Sequence, residues 1–289
     1  MTILLTRFHE DLQLAGYSNR TCESYLYRAQ KFLEYFAKPA DKISDDDIRS
    51  YFLYLKNTKK YSASASSQAL CAVKFMYQKT LGMDFSVFGI VRNRRGNKLP
   101  VILTRDEVKR VLTNIRILRH RTCLTLIYCC GLRLKEAINL KVTDIDSKRM
   151  VVHIKGGKGS KDRYVPLPES TLKLLREYYK THRNPVLLFP APGRGGIHEP
   201  TSQIPLPDSS IQTVLKKSLK EVGIKKNVSV HNLRHSYATH LLEAGVDIRI
   251  IQQYLGHKSI ESTMIYTHLT PLIRKGTSEL INKLMSGVS

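Results

Sequence analysis

The spacing of apolar residues predicts that the first ninety residues are helical. Apolar positions recur at intervals of three and four residues, the pattern of an amphipathic helix. The segments with this pattern are 3–14, 21–36, 47–55 and 65–81. The breaks between them carry residues that cap or end helices, namely Gly16, Ser18, Pro39, Ser44 and Ser62. We therefore predict a compact helical bundle over residues 1–90.

Beyond residue 100 the pattern mixes helices with one pair of strands. Residues 150–155 and 163–167 have the character of strands, and the GGKGSKD segment between them is typical of a hairpin loop. Helical spacing marks residues 105–115, 121–130, 169–181, 209–222, 231–243 and 248–255, with shorter helices after Ser259 and in the tail. Residues 185–207 are rich in Pro and Gly, and we interpret them as a surface loop. The predicted fold class is mainly α with a small β-hairpin or sheet.

The segment 91–100, VRNRRGNKLP, is the best candidate for a domain boundary. It has no periodicity, and it contains a Gly and a closing Pro. Its basic residues are Arg92, Arg94, Arg95 and Lys98. We predict a helical domain over 1–90, a basic linker over 91–100 and a second domain over 101–289. The linker is either simply solvated or crosses a polyanion, and we favour the second interpretation.

The charge balance points to a polyanionic partner. The chain has 47 Lys and Arg against 24 Asp and Glu, a formal net charge of +23, and a surplus of this size favours binding to nucleic acid. A membrane surface is disfavoured, because no run of eighteen apolar residues, no signal peptide and no separate basic amphipathic helix is recognised. We expect a soluble, cytoplasmic protein. The five cysteines fall within apolar helical patterns without metal-binding spacing, so we expect reduced core residues and no metal.

Residues 231–268 concentrate side chains suited to phosphodiester chemistry. A tyrosine hydroxyl is a poor nucleophile at its ordinary pKa near ~10, so it needs cationic neighbours or a base. Arginines neutralise a phosphodiester, and a lysine can protonate the leaving oxygen. The residues that supply these groups are Arg133, Lys158, His231, Arg234, His257 and Tyr266. Taken singly, each also has a structural interpretation, and we interpret His235 and His268 as structural.

Five motifs occur in a fixed order along the second domain. They are C-G-L-R-L-K-E at 130–136, G-K-G-S-K-D-R at 157–163, H-x-L-R-H at 231–235, L-G-H at 255–257 and Y-T-H at 266–268. Together they resemble the first-arginine box, the lysine-bearing hairpin and the C-terminal signature of the tyrosine recombinase (phage integrase) family, in its Xer and integrase branch. Lys135 stands where that family usually carries a serine.

The resemblance implies a division of labour among these residues. Tyr266 would attack the scissile phosphate to form a 3′-phosphotyrosyl link, with a 5′-hydroxyl released, while Arg133 and Arg234 hold the non-bridging oxygens. The implied supporting roles are stabilisation of the transition state by His257, proton transfer at the nucleophile by His231, protonation of the leaving oxygen by Lys158, and support of Arg133 by Glu136. Lys161 is the alternative acid. No metal, ATP or cofactor is implied.

The resemblance also implies a C-shaped clamp on double-stranded DNA, made of a helical core-binding domain and a catalytic domain. The predicted DNA contacts are Arg92, Arg94, Arg95, Lys98, Lys155, Lys161 and Arg163. A dimer would occupy each recombination site and a tetramer would form in synapsis. The tail 270–289 would either pack on its own domain or be donated to a neighbouring protomer.

Two other functions stay open at this stage. One is strand relaxation by similar chemistry, as in a type IB topoisomerase, and the other is a non-catalytic DNA-binding regulator that retains the fold. Within the favoured function, the sequence leaves open whether the recombinase integrates and excises a mobile element or resolves chromosome dimers.

Overall fold

The structure is a computed structural model that describes residues 2–91, 99–156, 162–193 and 199–267. The chain divides into two compact units, Met1–Lys98 and Leu99–Ser289. The predicted linker contacts Arg92, Arg94, Arg95 and Lys98 and the tail 270–289 lie outside the described residues. Among the helices that the structure describes, none is both long enough and apolar enough to span a membrane.

The first unit is a helical bundle, as its apolar pattern predicts. Its helices are α1 (Thr2–Leu14), α2 (Asn19–Phe36), α3 (Asp45–Asn57), α4 (Ala63–Phe75) and α5 (Val87–Ile90). Ser44 caps α3, since its Oγ accepts the Asp47 N–H at 3.2 Å while its own N–H donates to the Asp47 carboxylate at 2.8 Å. Ser62 caps α4 through a single bond, in which its Oγ accepts the Ala65 N–H.

The predicted fourth helix changes its geometry before it ends. After Phe75 the backbone widens into a π-helical turn over Met76–Leu81, which Gly82 terminates. Met76 and Tyr77 are adjacent in sequence and both fully buried, and the Tyr77 hydroxyl donates to the Ala40 carbonyl at 3.0 Å. The wider turn brings both side chains into the core. The periodicity of apolar residues does not predict this change of helix geometry.

The second unit surrounds one buried helix. Its helices are α6 (Arg105–Asn114), α7 (Leu118–Cys129), α8 (Leu134–Ile138), α9 (Glu169–His182), α10 (Asp208–Glu221), α11 (Val230–Glu243), α12 (Ile248–Leu255) and α13 (Glu261–Met264). Helix α7 packs against α6, α8, α9, α10 and α11. Its apolar residues are buried on several faces.

Gly131, at the end of α7, is required by both conformation and space. Its φ of +59° lies in the left-handed region, which residues with a Cβ disfavour. A Cβ at this position would also lie 2.4 Å from the ring of Tyr237. The glycine thus allows α11 to pack directly on the turn that presents Arg133.

A small antiparallel sheet lies beside this helical core. Its strands are β1 (Ile145–Asp146), β2 (Val151–Ile154) and β3 (Arg163–Pro166), in the order β1-β2-β3. Strands β2 and β3 confirm the predicted hairpin, whereas β1 is too short to show an alternating pattern. Val152 pairs with Val165, and both side chains are buried. Because side chains alternate along a strand, Arg163 lies on the same buried face as Val165.

The Pro- and Gly-rich passage that follows α9 is more ordered than predicted. Asn184 is buried, and its side-chain amide donates to the carbonyls of Glu199 and Ser202 at 2.8 and 2.9 Å. Leu188 and Phe189 belong to the core of the unit. The described part of residues 185–207 is therefore held to the domain by apolar anchors and is not simply a surface loop.

The cysteine prediction holds for only part of the set. Cys22, Cys123 and Cys130 are buried, Cys129 is half-buried and Cys71 is exposed, and all are free thiols. Cys71 lies on the outer face of α4, where the small residues around it weaken the amphipathic pattern.

Candidate active site

Arg133 is presented by the turn between α7 and α8. Leu132 beside it is buried in the core, and the Arg133 backbone N–H donates to the Glu136 carboxylate at 2.9 Å. The Arg133 guanidinium also donates to Glu136, with Nη1 at 2.6 Å from Oε1, while 40% of the side chain stays exposed. Arg133 is therefore oriented from one side and accessible to an anion from the other.

Arg234 is the largest of the fully buried side chains, with 1% of its surface exposed. Its Nη1 donates to the Gly131 carbonyl at 2.7 Å, and its Nη2 donates to the Leu255 carbonyl. These bonds tie α11 to the ends of α7 and α12. Burial and the neighbouring charge of Arg133 lower the pKa of Arg234 to about 10, so the guanidinium remains charged at neutral pH.

Glu136 links the first arginine to the β-hairpin. Arg163 donates to both carboxylate oxygens of Glu136, at 3.2 Å from Nη1 and 2.6 Å from Nη2. Burial alone would raise the pKa of Glu136, but the hydrogen bonds from Arg163 and Arg133 lower it to about 2. The Nη1 of Arg234 lies 3.9 Å from the same carboxylate. One buried carboxylate is thus shared by three arginines.

Arg163 requires a correction to the sequence analysis, which predicts that it contacts DNA. Only 6% of Arg163 is exposed, and its Nε donates to the Tyr254 carbonyl at 2.8 Å. The side chain points into the domain because side chains alternate along a strand and Arg163 lies on the buried face of β3. We assign Arg163 a positioning role at Glu136.

The remaining hairpin lysines are only partly described. Lys155 is exposed and donates from Nζ to Asp144 at 2.6 Å, which leaves it at the surface near the hairpin. Lys158 and Lys161, the two candidates for the acid, lie outside the described residues.

Helix α11 carries two histidines on one face, one helical turn apart. The rings of His231 and His235 meet edge to face, with centroids 4.5 Å apart and an interplanar angle of 83°. His231 is exposed, whereas His235 is half-buried and its Nδ1 lies 2.9 Å from the Tyr266 hydroxyl. The structure therefore brings His235, which the sequence analysis interprets as structural, into contact with the candidate nucleophile. The i, i+4 spacing from His231 was the available signal.

Tyr266 follows α13 and is buried, with 1% of its surface exposed. Burial raises the pKa of its hydroxyl, and the charges of Arg234 and Arg133 oppose this shift without reversing it. The phenol is therefore protonated at neutral pH, and its use as a nucleophile requires a group that accepts the proton.

His257 lies on the turn after α12, where Gly256 ends the helix in the left-handed conformation. Its Nδ1 is 2.9 Å from the hydroxyl of Thr263, which is fully buried and fixes the ring. Burial, followed by the charges of Arg234 and Arg133, lowers the pKa of His257 to about 4. The imidazole is therefore neutral at physiological pH.

The buried histidines predict that the protein loses stability on mild acidification. Burial lowers the pKa of several histidines, which are His120, His182, His235, His240 and His257. Between their folded pKa values and the unfolded value near ~6.5, the unfolded chain binds more protons, so the free energy of unfolding falls as the pH falls. We expect the melting temperature at pH 5.0 to be at least about 5 °C below that at pH 7.5. Glu136, with a pKa of about 2, does not titrate in this window. An unchanged or higher melting temperature at pH 5.0 would contradict this prediction.

No group of three or more His, Cys, Asp or Glu side chains in the described part of the chain is arranged to hold a metal ion. The site is instead built from two guanidiniums, three imidazoles and one phenol. Arg133, Arg234, His231, His257 and Tyr266 all belong to this cluster, although they come from four separate segments of the chain. The arrangement suits the transfer of a phosphoryl group to the tyrosine oxygen.

Comparison with known proteins identifies the class to which this fold and cluster belong. Residues 102–272 match the phage integrase family, and residues 4–86 match the SAM-like N-terminal domain of phage integrases. An integrase/recombinase of Sinorhizobium fredii is 38% identical over 270 residues, which cover 93% of this chain and 85% of the relative. Tyrosine recombinase XerA of Pyrococcus horikoshii is 35% identical, with 98% and 96% coverage.

Solved structures agree with these relatives. The crystal structure of a XerA recombinase is 31% identical, with a TM-score of 0.55 and coverage of 96% of this chain and 97% of that one. A XerH recombinase in a post-cleavage complex with DNA is 24% identical, with a TM-score of 0.70. The match covers 90% of this chain and 80% of that one. At this identity the likeness supports the fold alone. The chain belongs to the phage integrase family. It is a tyrosine-type site-specific DNA recombinase, so the resemblance, the mainly helical fold class and the enzyme class drawn from the sequence are confirmed.

Proposed function

We propose that this recombinase cleaves and rejoins duplex DNA through a covalent bond between a 3′ phosphate and Tyr266. The observation that carries the proposal is the position of the Tyr266 hydroxyl, which lies 2.9 Å from Nδ1 of His235, the neighbour of Arg234 on α11. The charges of Arg234 and Arg133 partly oppose the rise that burial causes in the pKa of this hydroxyl. A phosphodiester bound by these arginines would lie near the hydroxyl with its charge neutralised. The bond to tyrosine conserves the energy of the phosphodiester, so rejoining requires neither ATP nor a metal.

The other groups of the site have complementary roles in this proposal. Arg133 and Arg234 hold the non-bridging oxygens, and Glu136 with Arg163 fixes the direction of Arg133. His257 is neutral and held by Thr263, so it can donate a hydrogen bond from Nε2 to a phosphate oxygen. His231 lies at the edge of the same cluster. The acid that protonates the leaving oxygen is assigned to Lys158, on its position in the hairpin motif.

Binding to duplex DNA in the proposal depends on the charge of both units. Residues 1–90 form the core-binding domain, 91–100 the basic linker and 101–289 the catalytic domain, and each domain binds DNA. The contacts from the linker and hairpin are Arg92, Arg94, Arg95, Lys98, Lys155 and Lys161. These residues neutralise phosphates and do not read bases, so affinity should decline steeply with salt concentration.

The proposal is tested by covalent capture on a nicked duplex. Binding sites are first obtained by repeated selection of duplexes that the full-length protein retains from a pool of random sequence. A series of these sites then carries a single nick at successive positions, so that cleavage just before the nick releases a short fragment and traps the intermediate. We expect one nick position to yield a protein–DNA band on a denaturing gel, with the nucleotide on the peptide that contains Tyr266. The absence of this band at every nick position, despite tight binding, would contradict the proposal.

Assembly on DNA is proposed to use the C-terminal tail. A dimer on each site and a tetramer in synapsis are favoured, with residues 270–289 donated between protomers. We expect full-length protein to form complexes that contain two duplexes, detected with two differently labelled DNAs on a native gel. Protein ending at residue 269 should bind one duplex but should not pair two. Pairing by the truncated protein at the wild-type level would exclude donation of the tail.

A further inference from the structure

His235 contacts the reacting atom of the proposed nucleophile. Its Nδ1 lies 2.9 Å from the Tyr266 hydroxyl oxygen, the length of a good hydrogen bond. The two rings are 5.7 Å apart between centroids and tilted at 55°, so the contact is made by the polar atoms at their edges. Since Tyr266 is 1% exposed, this hydrogen bond is shielded from bulk water.

His231, to which the resemblance assigns proton transfer, occupies a different position. It lies one helical turn before His235. The two imidazole rings are nearly perpendicular and meet edge to face. His231 is also exposed, whereas His235 is half-buried between His231 and Tyr266. The order from the surface inward is thus His231, His235, Tyr266.

We propose that His235 is the catalytic residue that accepts the Tyr266 proton during cleavage and returns it during rejoining. This inference rests on the proposed function of Tyr266. In cleavage, the O–H proton moves to His235 Nδ1 while the tyrosine oxygen forms its bond to phosphorus. The bond from phosphorus to the 5′ oxygen breaks, and that oxygen takes a proton from the acid. In rejoining, the 5′-hydroxyl attacks phosphorus and gives up its proton to that group, and the tyrosine oxygen recovers its proton from His235.

The surroundings of His235 keep its ring neutral, with the ring nitrogen that faces Tyr266 able to accept a proton once substrate binding raises its basicity. Burial, then the neighbouring His231 and Arg234, lowers its pKa to about 4, so the ring is neutral at physiological pH. The other titratable groups that face this region are Tyr266, His257 and Arg133. A phosphodiester bound by Arg133 and Arg234 introduces a negative charge that offsets the guanidiniums. Docking of the substrate therefore makes His235 more basic when the proton must be transferred.

The same helix supplies a matched control. His240 lies five residues after His235, is 8% exposed, and has its Nδ1 at 2.8 Å from the hydroxyl of Tyr128. The hydrogen bond between His240 and Tyr128 has nearly the same length and burial as the one between His235 and Tyr266, but it does not involve the candidate nucleophile. Disruption of either pair should therefore have a similar effect on stability.

The test compares His235→Asn with His240→Asn in single-turnover capture on the nicked duplex. The asparagine oxygen can occupy the position of Nδ1 and accept the hydrogen bond, but it does not take up the proton. For His235→Asn we expect wild-type DNA affinity and a capture rate reduced by about 10²–10⁴-fold at pH 7. The deficit should shrink as the pH rises toward 9, because hydroxide can then remove the phenol proton. For His240→Asn we expect a rate within about threefold of wild type.

A second substrate locates the defect. A 5′-bridging phosphorothiolate replaces the leaving oxygen with sulfur, which departs without protonation. His235→Asn should remain slow on this substrate, because the affected proton belongs to the nucleophile. A rate restored by sulfur, a His235→Asn rate within threefold of wild type, or an equal loss in His240→Asn would each overturn the proposal. If wild type itself captures no DNA, the proposed function fails instead, so the two failures are distinguishable.

Discussion

Replacement of Tyr266 with phenylalanine is expected to abolish covalent capture of DNA and to leave DNA affinity within about twofold of wild type. The hydroxyl oxygen is the atom that forms the bond to phosphorus, and its loss should reduce the cleavage rate by about 10⁴-fold or more. The phenylalanine ring retains the packing of Tyr266 against Tyr237, Ala238 and Leu255. Loss of the described hydrogen bond to His235 should cost about 1 kcal/mol of stability. The measurements are single-turnover capture and binding to the same selected duplex.

Tyr237→Phe is the matched control for this prediction. Tyr237 is also buried, belongs to the same apolar cluster and lies on α11, next to the arginine and histidines of the site. Its replacement should leave capture of DNA unchanged. A covalent band that persists with Tyr266→Phe and disappears with Tyr237→Phe would show that Tyr266 is not the nucleophile.

Glu136→Ala is expected to produce the largest loss of stability in the second unit. Glu136 and Arg163 are 6% and 5% exposed, and Arg133 and Arg234 lie on the same carboxylate. Removal of one partner from a buried ion pair leaves the other charge without compensation, at a cost of about 3–5 kcal/mol. For a domain of this size that corresponds to a fall of roughly 10 °C in melting temperature. Thermal denaturation followed by circular dichroism provides the measurement.

The double variant Glu136→Met with Arg163→Met separates charge from packing. It removes the buried anion and its most buried cation together, and the thioether side chains fill similar volume. We expect it to recover more than half of the stability lost in Glu136→Ala. Its capture of DNA should remain low, because Arg133 still lacks the carboxylate that orients it. A Glu136→Ala protein that melts within 2 °C of wild type would show that the carboxylate is dispensable.

The predictions that hold depend on interactions local in sequence. Ser44 and Ser62 cap helices through groups three residues away, and their sequence context shows this directly. The predicted β2–β3 hairpin also joins segments that are close in the chain. The errors arise where distant segments meet. The π-helical turn occurs where Tyr77 bonds the Ala40 carbonyl, 37 residues away, and the order of residues 185–193 depends on Asn184 and the core.

The sequence by itself determined the family, most of the succession of helices and the residue types expected in the active site. These depend on residue type, spacing and periodicity, which are properties of the chain before it folds. Only the tertiary structure decided that Arg163 is buried and donates to Glu136, and that His235 contacts the Tyr266 hydroxyl, 31 residues away in the chain. The physical reason is that such contacts depend on how helices and strands pack. The rotation of one helix or the parity of one strand selects which of two similar side chains faces the site.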